Sequence, residues 1–251
     1  MTTKIEWCEE TWNPITGCSK ISAGCANCYA ERMSKRLAGR YGYPKEDPFK
    51  VTFHPDRLEQ PFHWKKPRRI FVCSMGDLFH DDVKDCDINS VFLKMLNCDR
   101  HTYIILTKRP ERMKDFVSIG TGWRGRMENV WLGVTAENQK TADERIPILL
   151  DIPAAVRFIS VEPMLSEIDL KLHSYAQSGS MHSTRRVFLN WVIAGTESGP
   201  KKRPAKTKWI RSLKDQCVSA GIPFFLKQRE IAGKVVKMPE FDGKIWNQLP
   251  R

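Results

Sequence analysis

The chain has 251 residues, of which 41% are hydrophobic and 28% charged, a composition typical of a soluble globular protein with one sizeable core. No stretch approaches the roughly 20 apolar residues that cross a bilayer, and the polar start MTTKIEWCEE lacks the apolar centre of a secretory signal, so we predict a cytoplasmic protein without a membrane partner. Lysine and arginine outnumber aspartate and glutamate by 41 to 29, which favours a polyanionic partner such as nucleic acid.

Short apolar segments alternate with amphipathic segments along the chain. The segment IEW is a possible first strand, and residues 26–39 form a possible first helix. Nearly continuous apolar character, which is typical of strands buried on both faces of a parallel sheet, predicts six strands at residues 69–75, 102–108, 130–136, 156–163, 190–198 and 223–228. Helical spacing of apolar residues predicts helices between them at residues 87–98, 110–119, 138–150 and 206–220.

This alternation predicts an α/β protein with a full or partial parallel (β/α) barrel of the TIM type, in a single domain over residues 1–251. Two stretches fall outside the alternation. Residues 40–68 are rich in proline, aromatic and basic residues, and residues 165–186 are polar and weakly patterned, so we interpret both as insertions or long loops. Residues 229–251 form a C-terminal extension.

Polar side chains collect at the downstream ends of the predicted strands. In a parallel barrel all of these ends open on one face, so we expect the side chains to line one cavity. Helix caps and structural ion pairs are the alternative interpretation for each residue taken singly. The residues are Ser74, Asp77, Thr107, Lys108, Arg109, Thr135, Glu137, Ser160, Glu162, Glu197, Ser198, Lys227 and Gln228.

Three of the eight cysteines, Cys18, Cys25 and Cys28, lie within eleven residues ahead of the predicted first helix. In a reducing compartment clustered thiols more often bind metal than form disulfides. A structural zinc ion normally takes four protein ligands, whereas a four-iron cluster on three thiolates keeps one iron open. The count favours an iron–sulfur cluster, with zinc or plain thiols as alternatives and Cys8 as a substitute ligand. The dispersed cysteines, Cys73, Cys86, Cys98 and Cys217, are expected to be buried structural thiols.

The three-cysteine loop ending in CxxCY, followed by a helix and alternating strands, resembles the radical S-adenosylmethionine superfamily. A narrower resemblance, to a phage-associated family of uncharacterised proteins distantly similar to spore photoproduct lyase, is carried by the segments TWNPITGC, CANCYAERM, SMGDLF, LTKRPERM, WLGVTAEN, ISVEPML, WVIAGTESGP and FFLKQ. The first cysteine spacing departs from the superfamily pattern, because six residues separate Cys18 from Cys25 where three are usual.

The resemblance implies a [4Fe–4S] cluster on Cys18, Cys25 and Cys28, with S-adenosylmethionine on the open iron and an external electron donor. The enzyme would form a 5′-deoxyadenosyl radical that abstracts a substrate hydrogen. Lys108 and Arg109 suit either the methionyl carboxylate or a substrate phosphate. Residues expected to bind the cofactor are Ser74, Lys108, Thr135, Glu137, Ser160 and Glu162, and residues expected to face substrate are Asp77, Arg109, Glu197, Lys227 and Gln228.

Basic residues beside tryptophans indicate nucleic acid as the substrate, because they combine phosphate contacts with base stacking. We therefore predict a radical enzyme that modifies or repairs a nucleic acid base. A radical enzyme acting on a small molecule or peptide, and a non-catalytic metal-containing nucleic-acid-binding module, are the alternatives. The basic residues are Lys65, Lys66, Arg68 and Arg69 around Trp64, Arg124 and Arg126 after Trp123, and Lys201, Lys202, Arg203, Lys206 and Lys208 before Trp209.

Overall fold

The structure is a computed structural model that describes residue 3 and residues 5–119, 127–172 and 189–250. Its strands are β1 (Glu10–Trp12), β2 (Ile15–Thr16), β3 (Thr52–Phe53), β4 (Arg69–Val72), β5 (Thr102–Thr107), β6 (Val130–Thr135), β7 (Val156–Val161), β8 (Trp191–Gly195), β9 (Phe224–Ile231), β10 (Lys234–Lys237), β11 (Glu240–Phe241) and β12 (Lys244–Ile245). Its helices are α1 (Tyr29–Leu37), α2 (Gln60–His63), α3 (Asp85–Asn97), α4 (Pro110–Ile119), α5 (Gln139–Asp151) and α6 (Thr207–Ser219). Short 3-10 helices cover Ala23–Cys25 and Pro55–Arg57.

Eight strands form one sheet in the order β1-β4-β5-β6-β7-β8-β9-β10. Strand β4 pairs in parallel with β1 and β5, strand β8 pairs in parallel with β7 and β9, and β10 is antiparallel to β9. All five residues of β8 are buried, as expected for a strand covered on both faces. The predicted α/β class with a mostly parallel sheet is therefore confirmed.

All six predicted strands and the four helices between them are present, but the first strand was predicted in the wrong place. Strand β1 starts at Glu10, and the segment IEW instead leads into a turn. The charged residues that precede and begin β1 form ion pairs with arginines that precede and begin β4. Glu9 pairs with Arg69, and Glu10 accepts a 2.5 Å bond from Arg68. These long-range ion pairs stabilise a strand whose sequence has little apolar character.

The predicted insertions and extension contain short elements of their own. Residues 40–68 include β3, which pairs with β2, together with α2. Of residues 165–186, those after 172 lie outside the described residues. Strand β9 continues past the predicted end because it forms a hairpin with β10. The hairpin turns at Ala232 and Gly233, whose φ values of 47° and 79° suit a two-residue turn.

Contacts group the chain into two compact units. The first unit is Met1–Gly133 with Ile152–Ala155, and its core includes Trp12, whose ring centroid lies 5.9 Å from that of Tyr103. The second unit is Val134–Asp151 with Val156–Arg251, and its core includes the pair Phe158 and Trp191, 5.6 Å apart. The single-domain prediction stays a prediction. Within the described part of the chain, no helix has both the length and the apolar character needed to cross a membrane.

Candidate cysteine loop and polar clusters

The cysteine loop, residues 17–28, starts where β2 ends and continues into α1. Its first residue, Gly17, has a φ of +84°, and a Cβ there would come within 2.2 Å of the backbone oxygen of Lys50, so only glycine fits without displacing that segment. The Gly17 N–H donates to the backbone oxygen of Met75 at 2.9 Å. These contacts fix Cys18 beside the segment that follows β4.

The three thiols of the cysteine loop share an intermediate burial. Cys18 follows β2, Cys25 ends a 3-10 helix, and Cys28 is the residue directly before α1; each is half-buried and free. Of the four predicted structural thiols, Cys73, Cys98 and Cys217 are buried, but the prediction was wrong for Cys86, which is exposed on α3. Burial raises the pKa of Cys73 and of Cys217 to about 12, which keeps these two thiols protonated at neutral pH.

Positive charge favours the thiolate of Cys25. Burial by itself raises the pKa of this thiol, but the ammonium of Lys108, the backbone of Ile21 and Ser22 and the Ser22 hydroxyl oppose that effect. The net result is a pKa below the ordinary value of cysteine. The thiolate is the form of cysteine that binds metal, so Cys25 is suited to act as a ligand.

Arg109 links Cys18 to the segment after β4. Its Nη1 donates to Cys18 Sγ at 3.4 Å and to Asp77 Oδ2 at 3.3 Å, and its Nη2 donates to Ser19 Oγ at 2.9 Å. For Cys18, burial and then Asp77 raise the pKa, Arg109 acts in the opposite direction, and the net shift is upward. We predicted that Asp77 and Arg109 face substrate; both side chains are almost fully buried, and their charged groups contact each other.

Two further residues of the first unit that were expected to bind cofactor lie close to this network. Lys108 is half-buried, and its backbone N–H donates to Asp77 Oδ2 at 3.2 Å. Ser74 donates from Oγ to Asn13 Oδ1 at 3.1 Å, and the Met75 N–H donates to the same oxygen at 2.9 Å. The sequence interpretation missed Asn13, although the Asn-Pro pair that it begins is a turn signal directly after β1.

His80 and Ser19 were also missed. The Nε2 atom of His80 lies 2.8 Å from Ser19 Oγ, and the histidine is 4% exposed. Burial, followed by the charge of Arg109, lowers the pKa of His80, so the imidazole is neutral at pH 7. Arg109, which contacts both Cys18 and Ser19, and His80, which contacts Ser19, therefore connect the cysteine loop to the segment before α3.

In the second unit, Thr135, Glu137 and Ser160 are buried and engaged in internal bonds. Arg145 donates from Nη1 to the backbone oxygen of Thr135 at 2.8 Å and to Glu137 Oε2 at 3.0 Å. The Glu137 side chain has no exposed surface. The Ser160 carbonyl accepts from the Ala136 N–H at 3.0 Å. Glu137 and Arg145 therefore form a buried ion pair. This contact agrees with the alternative interpretation, in which the glutamate has a structural role.

Glu162, Thr196, Lys227 and Gln228 form a second polar group in this unit, which we call the Glu162 cluster. The Lys227 ammonium lies 2.7 Å from Glu162 Oε1, and Gln228 Nε2 donates to the Thr196 carbonyl at 2.8 Å. The Thr196 hydroxyl is buried and has no hydrogen-bond partner among the described residues. An unsatisfied buried hydroxyl costs about 1–3 kcal/mol, so a bound polar ligand that reached it would remove this cost. Thr196 was not among the predicted residues.

Glu197 was expected to face substrate, but its carboxylate holds Arg203. The guanidinium donates to Glu197 at 2.5 Å from Nη2 and at 3.0 Å from Nε, and the Arg203 N–H adds a bond of 2.8 Å. This bidentate geometry is the strong form of a charge-assisted pair. Arg203 also belongs to a group predicted to bind nucleic acid. The ion pair therefore joins two residues that were each expected to contact a ligand.

Pairing reduces the number of exposed cations in the predicted basic groups. Arg68 pairs with Glu10 and Arg69 pairs with Glu9, and Lys202 lies 3.6 Å from Glu230. Lys206 lies over the ring of Trp209 at 5.4 Å. The group at residues 123–126 lies outside the described residues. The exposed cations in these groups include Lys65, Lys66, Lys206 and Lys208.

Helix α1 adds a basic and aromatic surface that the sequence interpretation missed. Lys35 and Arg36 are exposed, and Arg32 lies 5.8 Å from the ring of Tyr29, which is 53% exposed. Exposed aromatic rings beside cations are suited to stacking on bases and contacting phosphates. This surface directly follows Cys28, so a strand bound on it would lie close to the cysteine loop.

The donor chemistry of the cysteine loop suits an iron–sulfur cluster, whose usual protein ligands are cysteine thiolates. Each thiolate of such a cluster binds a separate iron, so the thiols need not converge on one point. Three half-buried thiols beside the cations Lys108 and Arg109 meet this requirement. In the described ranges of the chain, no three His, Cys, Asp or Glu side chains are arranged to hold one metal ion.

The fold and the cysteine loop together define an α/β protein with a mostly parallel sheet and a loop of three accessible thiols. The family model described as a protein of unknown function (DUF5131) matches residues 2–250. The chain therefore belongs to the DUF5131 family. No curated protein and no solved structure matches it.

Proposed function

We propose that the chain is a radical S-adenosylmethionine enzyme whose Cys18, Cys25 and Cys28 hold a [4Fe–4S] cluster. The observation that carries the proposal is the cysteine loop, in which three half-buried thiols lie between β2 and α1 with cations beside two of them. When bound, the cluster would supply the electron that cleaves S-adenosylmethionine to a 5′-deoxyadenosyl radical. The predicted full or partial TIM-type barrel, and a reducing compartment such as the cytoplasm, are part of this proposal.

The side chains of the chain itself would bind and orient the reactants. Lys108 favours the thiolate of Cys25 and so prepares it as a ligand. In the Glu162 cluster, the carboxylate of Glu162 and the ammonium of Lys227 are a matched pair for the amine and carboxylate of an amino acid group such as the methionyl part of S-adenosylmethionine. The buried Thr196 hydroxyl offers a further hydrogen bond to a polar ligand.

We further propose that the substrate is a nucleic acid in which one base is modified or repaired. The support is a net charge of +12 together with exposed cations, including Lys65 and Lys66, and the basic and aromatic surface of α1. Positive surface charge of this kind attracts phosphates, and exposed rings stack on unpaired bases. The electron would come from an external one-electron donor of low potential.

The test is anaerobic reconstitution of the full chain with iron and sulfide. The expected result is a broad absorbance near ~400 nm that bleaches with dithionite, followed by release of 5′-deoxyadenosine from added S-adenosylmethionine. Absence of either result would contradict the enzyme proposal. One equivalent of zinc without iron after anaerobic purification would instead support a non-catalytic binding module.

The substrate class is tested separately by filter binding of DNA and RNA over a series of salt concentrations. Binding through phosphates weakens steeply as salt rises, because neutralised phosphates release counterions. An active enzyme without salt-dependent binding of either nucleic acid would point to a small molecule or peptide as substrate.

A further inference from the structure

Arg109 places a buried positive charge against one thiol of the cysteine loop. Its Nη1 donates to Cys18 Sγ at 3.4 Å, and its Nη2 donates to Ser19 Oγ at 2.9 Å. Only 6% of the arginine is exposed, so solvent and salt screen its charge weakly. A hydrogen bond from a charged donor to a thiolate is stronger than one from a neutral donor.

The opposite charge comes from Asp77, which Arg109 contacts at 3.3 Å. The carboxylate of Asp77 is fixed by other bonds as well, from Thr107 Oγ1 at 2.7 Å, from the Phe79 N–H at 3.0 Å and from the Lys108 N–H at 3.2 Å. The Arg109 N–H donates to Thr107 Oγ1 at 2.9 Å. Loss of the guanidinium would therefore leave Asp77 hydrogen-bonded, and the two charges occupy fixed positions relative to Cys18.

We propose that Arg109 and Asp77 set the reduction potential of the cluster held by the cysteine loop, with Arg109 acting through Cys18 as a positioning residue. This proposal rests on the proposed function. Reduction adds one electron, supplied by an external one-electron donor, to the cluster, and no bond or proton need change. The cation Arg109 stabilises the more negative reduced form and raises the potential, and the anion Asp77 lowers it.

This role differs from the one predicted for Arg109 from the sequence. A guanidinium that donates to Cys18, Ser19 and Asp77 has its hydrogen-bonding edge turned to the protein. Its effect on the reaction would then pass through the electron affinity of the cluster. A purely structural role for the pair would give no reason for the two charges to move the potential in opposite directions.

The test is a redox titration of reconstituted full-length protein, without S-adenosylmethionine, followed by electron paramagnetic resonance of the reduced cluster. Arg109→Gln is expected to shift the equilibrium about tenfold toward the oxidised form, a potential about 59 mV lower for a one-electron couple. Asp77→Asn is expected to shift the equilibrium about tenfold toward the reduced form. Arg109→Lys, which keeps the charge, is expected to restore most of the wild-type potential.

Arg112→Gln is the matched control. Arg112 lies on α4, which begins directly after Arg109, donates to the backbone oxygens of His80 and Val83, and pairs with Asp85 at 3.0 Å. Its loss changes the net charge by the same amount as Arg109→Gln, but its contacts are with His80, Val83 and Asp85 and not with Cys18. The potential of Arg112→Gln is expected to match that of the wild type.

Opposite shifts in Arg109→Gln and Asp77→Asn, with an unchanged control, would support the proposal. A wild-type protein that carries the cluster, with the same potential in every variant, would overturn this inference and leave the proposed function standing. A wild-type protein that takes up no cluster would overturn both. If circular dichroism shows that Arg109→Gln does not fold, Asp77→Asn decides the outcome, because an unshifted potential in that variant overturns the inference.

Discussion

Lys227 Nζ lies 2.7 Å from Glu162 Oε1, and the two side chains keep 19% and 21% of their surface exposed. A salt bridge with this partial exposure can exchange its internal partner for a ligand, because neither charge is sealed from solvent. Gln228 Nε2 lies 3.5 Å from the same Glu162 oxygen, so the carboxylate has a second donor beside it.

Glu162→Gln is expected to weaken binding of S-adenosylmethionine about tenfold, a loss of about 1.4 kcal/mol, because the neutral amide attracts the methionyl amine less strongly. The measurement is calorimetry on cluster-loaded protein, with iron content checked in parallel. Glu230→Gln is the control, since Glu230 forms a similarly exposed pair with Lys202 at 3.6 Å. Equal affinities in the wild type and Glu162→Gln would contradict a ligand-binding role for this carboxylate.

Replacement of Cys18, Cys25 or Cys28 by alanine is expected to abolish the cluster absorbance and to lower bound iron at least tenfold, because an iron–sulfur cluster depends on its thiolate ligands. Cys86→Ala, which changes an exposed thiol on α3, is expected to keep both. Cys8→Ala tests the substitute ligand and is expected to keep the cluster, since Cys8 is buried outside the cysteine loop. Full iron uptake by any of the three loop variants would contradict the assignment.

Gly17→Ala is expected to destabilise the protein by roughly 2–5 kcal/mol. A positive φ costs an alanine about 1 kcal/mol or somewhat more, and the close approach to the Lys50 oxygen adds overpacking of about 1–3 kcal/mol. Gly243→Ala isolates the first contribution, because Gly243 has a φ of +82° with no atom within 4 Å of the added Cβ. Urea denaturation of both variants gives the comparison. Similar losses at the two positions would mean that the loop yields to the added methyl group.

The iron-free protein is expected to lose stability in mild acid because of His54. Its Nε2 lies 2.8 Å from Thr16 Oγ1, and burial, followed by the charge of Arg57, lowers the pKa of His54 to about 4. An unfolded histidine has a pKa of about 6.5, so between these values the unfolded chain binds more protons than the folded chain. The free energy of unfolding should fall by about 2–3 kcal/mol from pH 7.5 to pH 4.5 through this group.

Urea denaturation at both pH values measures this loss, and His54→Gln serves as the comparison. Burial also lowers the pKa of His80 and of His101, so part of the acid sensitivity will remain in the variant. The variant is nevertheless expected to lose less stability than the wild type. Identical pH dependence in the two proteins would contradict the assignment to His54.

The double substitution Lys65→Gln and Lys66→Gln is expected to weaken nucleic acid binding at low salt and to make the slope of log affinity against log salt shallower by about 2. Both lysines are exposed in the segment before β4. Lys84→Gln is the control, because this exposed lysine lies among the acidic residues Asp81, Asp82 and Asp85. An unchanged slope in the double variant would exclude both lysines from the binding surface.

Most strands of the sheet could be predicted from the sequence, but the partners of the charged side chains could not. Strands such as β8 are apolar along their whole length, so the pattern identifies them without tertiary information. Strand β1 was missed because its three residues pair with β4, about 60 residues away, and no local pattern encodes such a partner. The buried His54 lies in a segment that composition alone marks as a loop.

The same limit applies to the candidate sites. Sequence spacing located Lys108 and Arg109 directly after β5, but whether a guanidinium turns toward a ligand or toward Cys18 depends on Asp77 and Ser19, which lie in other segments. Likewise, Thr196 resembles any polar residue at a strand end. Its distinguishing property, a buried hydroxyl without a partner in the described chain, exists only after the surrounding strands have packed.

The backbone at the start of the cysteine loop is held by contacts with other segments, whereas most residues of the helix after its last thiol are not buried. This difference shows where the protein can be engineered. The backbone at Gly17 and Cys18 is tied to Met75 and Phe49, so insertions there would disturb two other segments. Helix α1, which follows Cys28, buries only Ala30 and Ser34. Labels, tethers or altered surface charges can therefore be introduced on the outward positions of α1 without displacing the backbone that carries the first thiol.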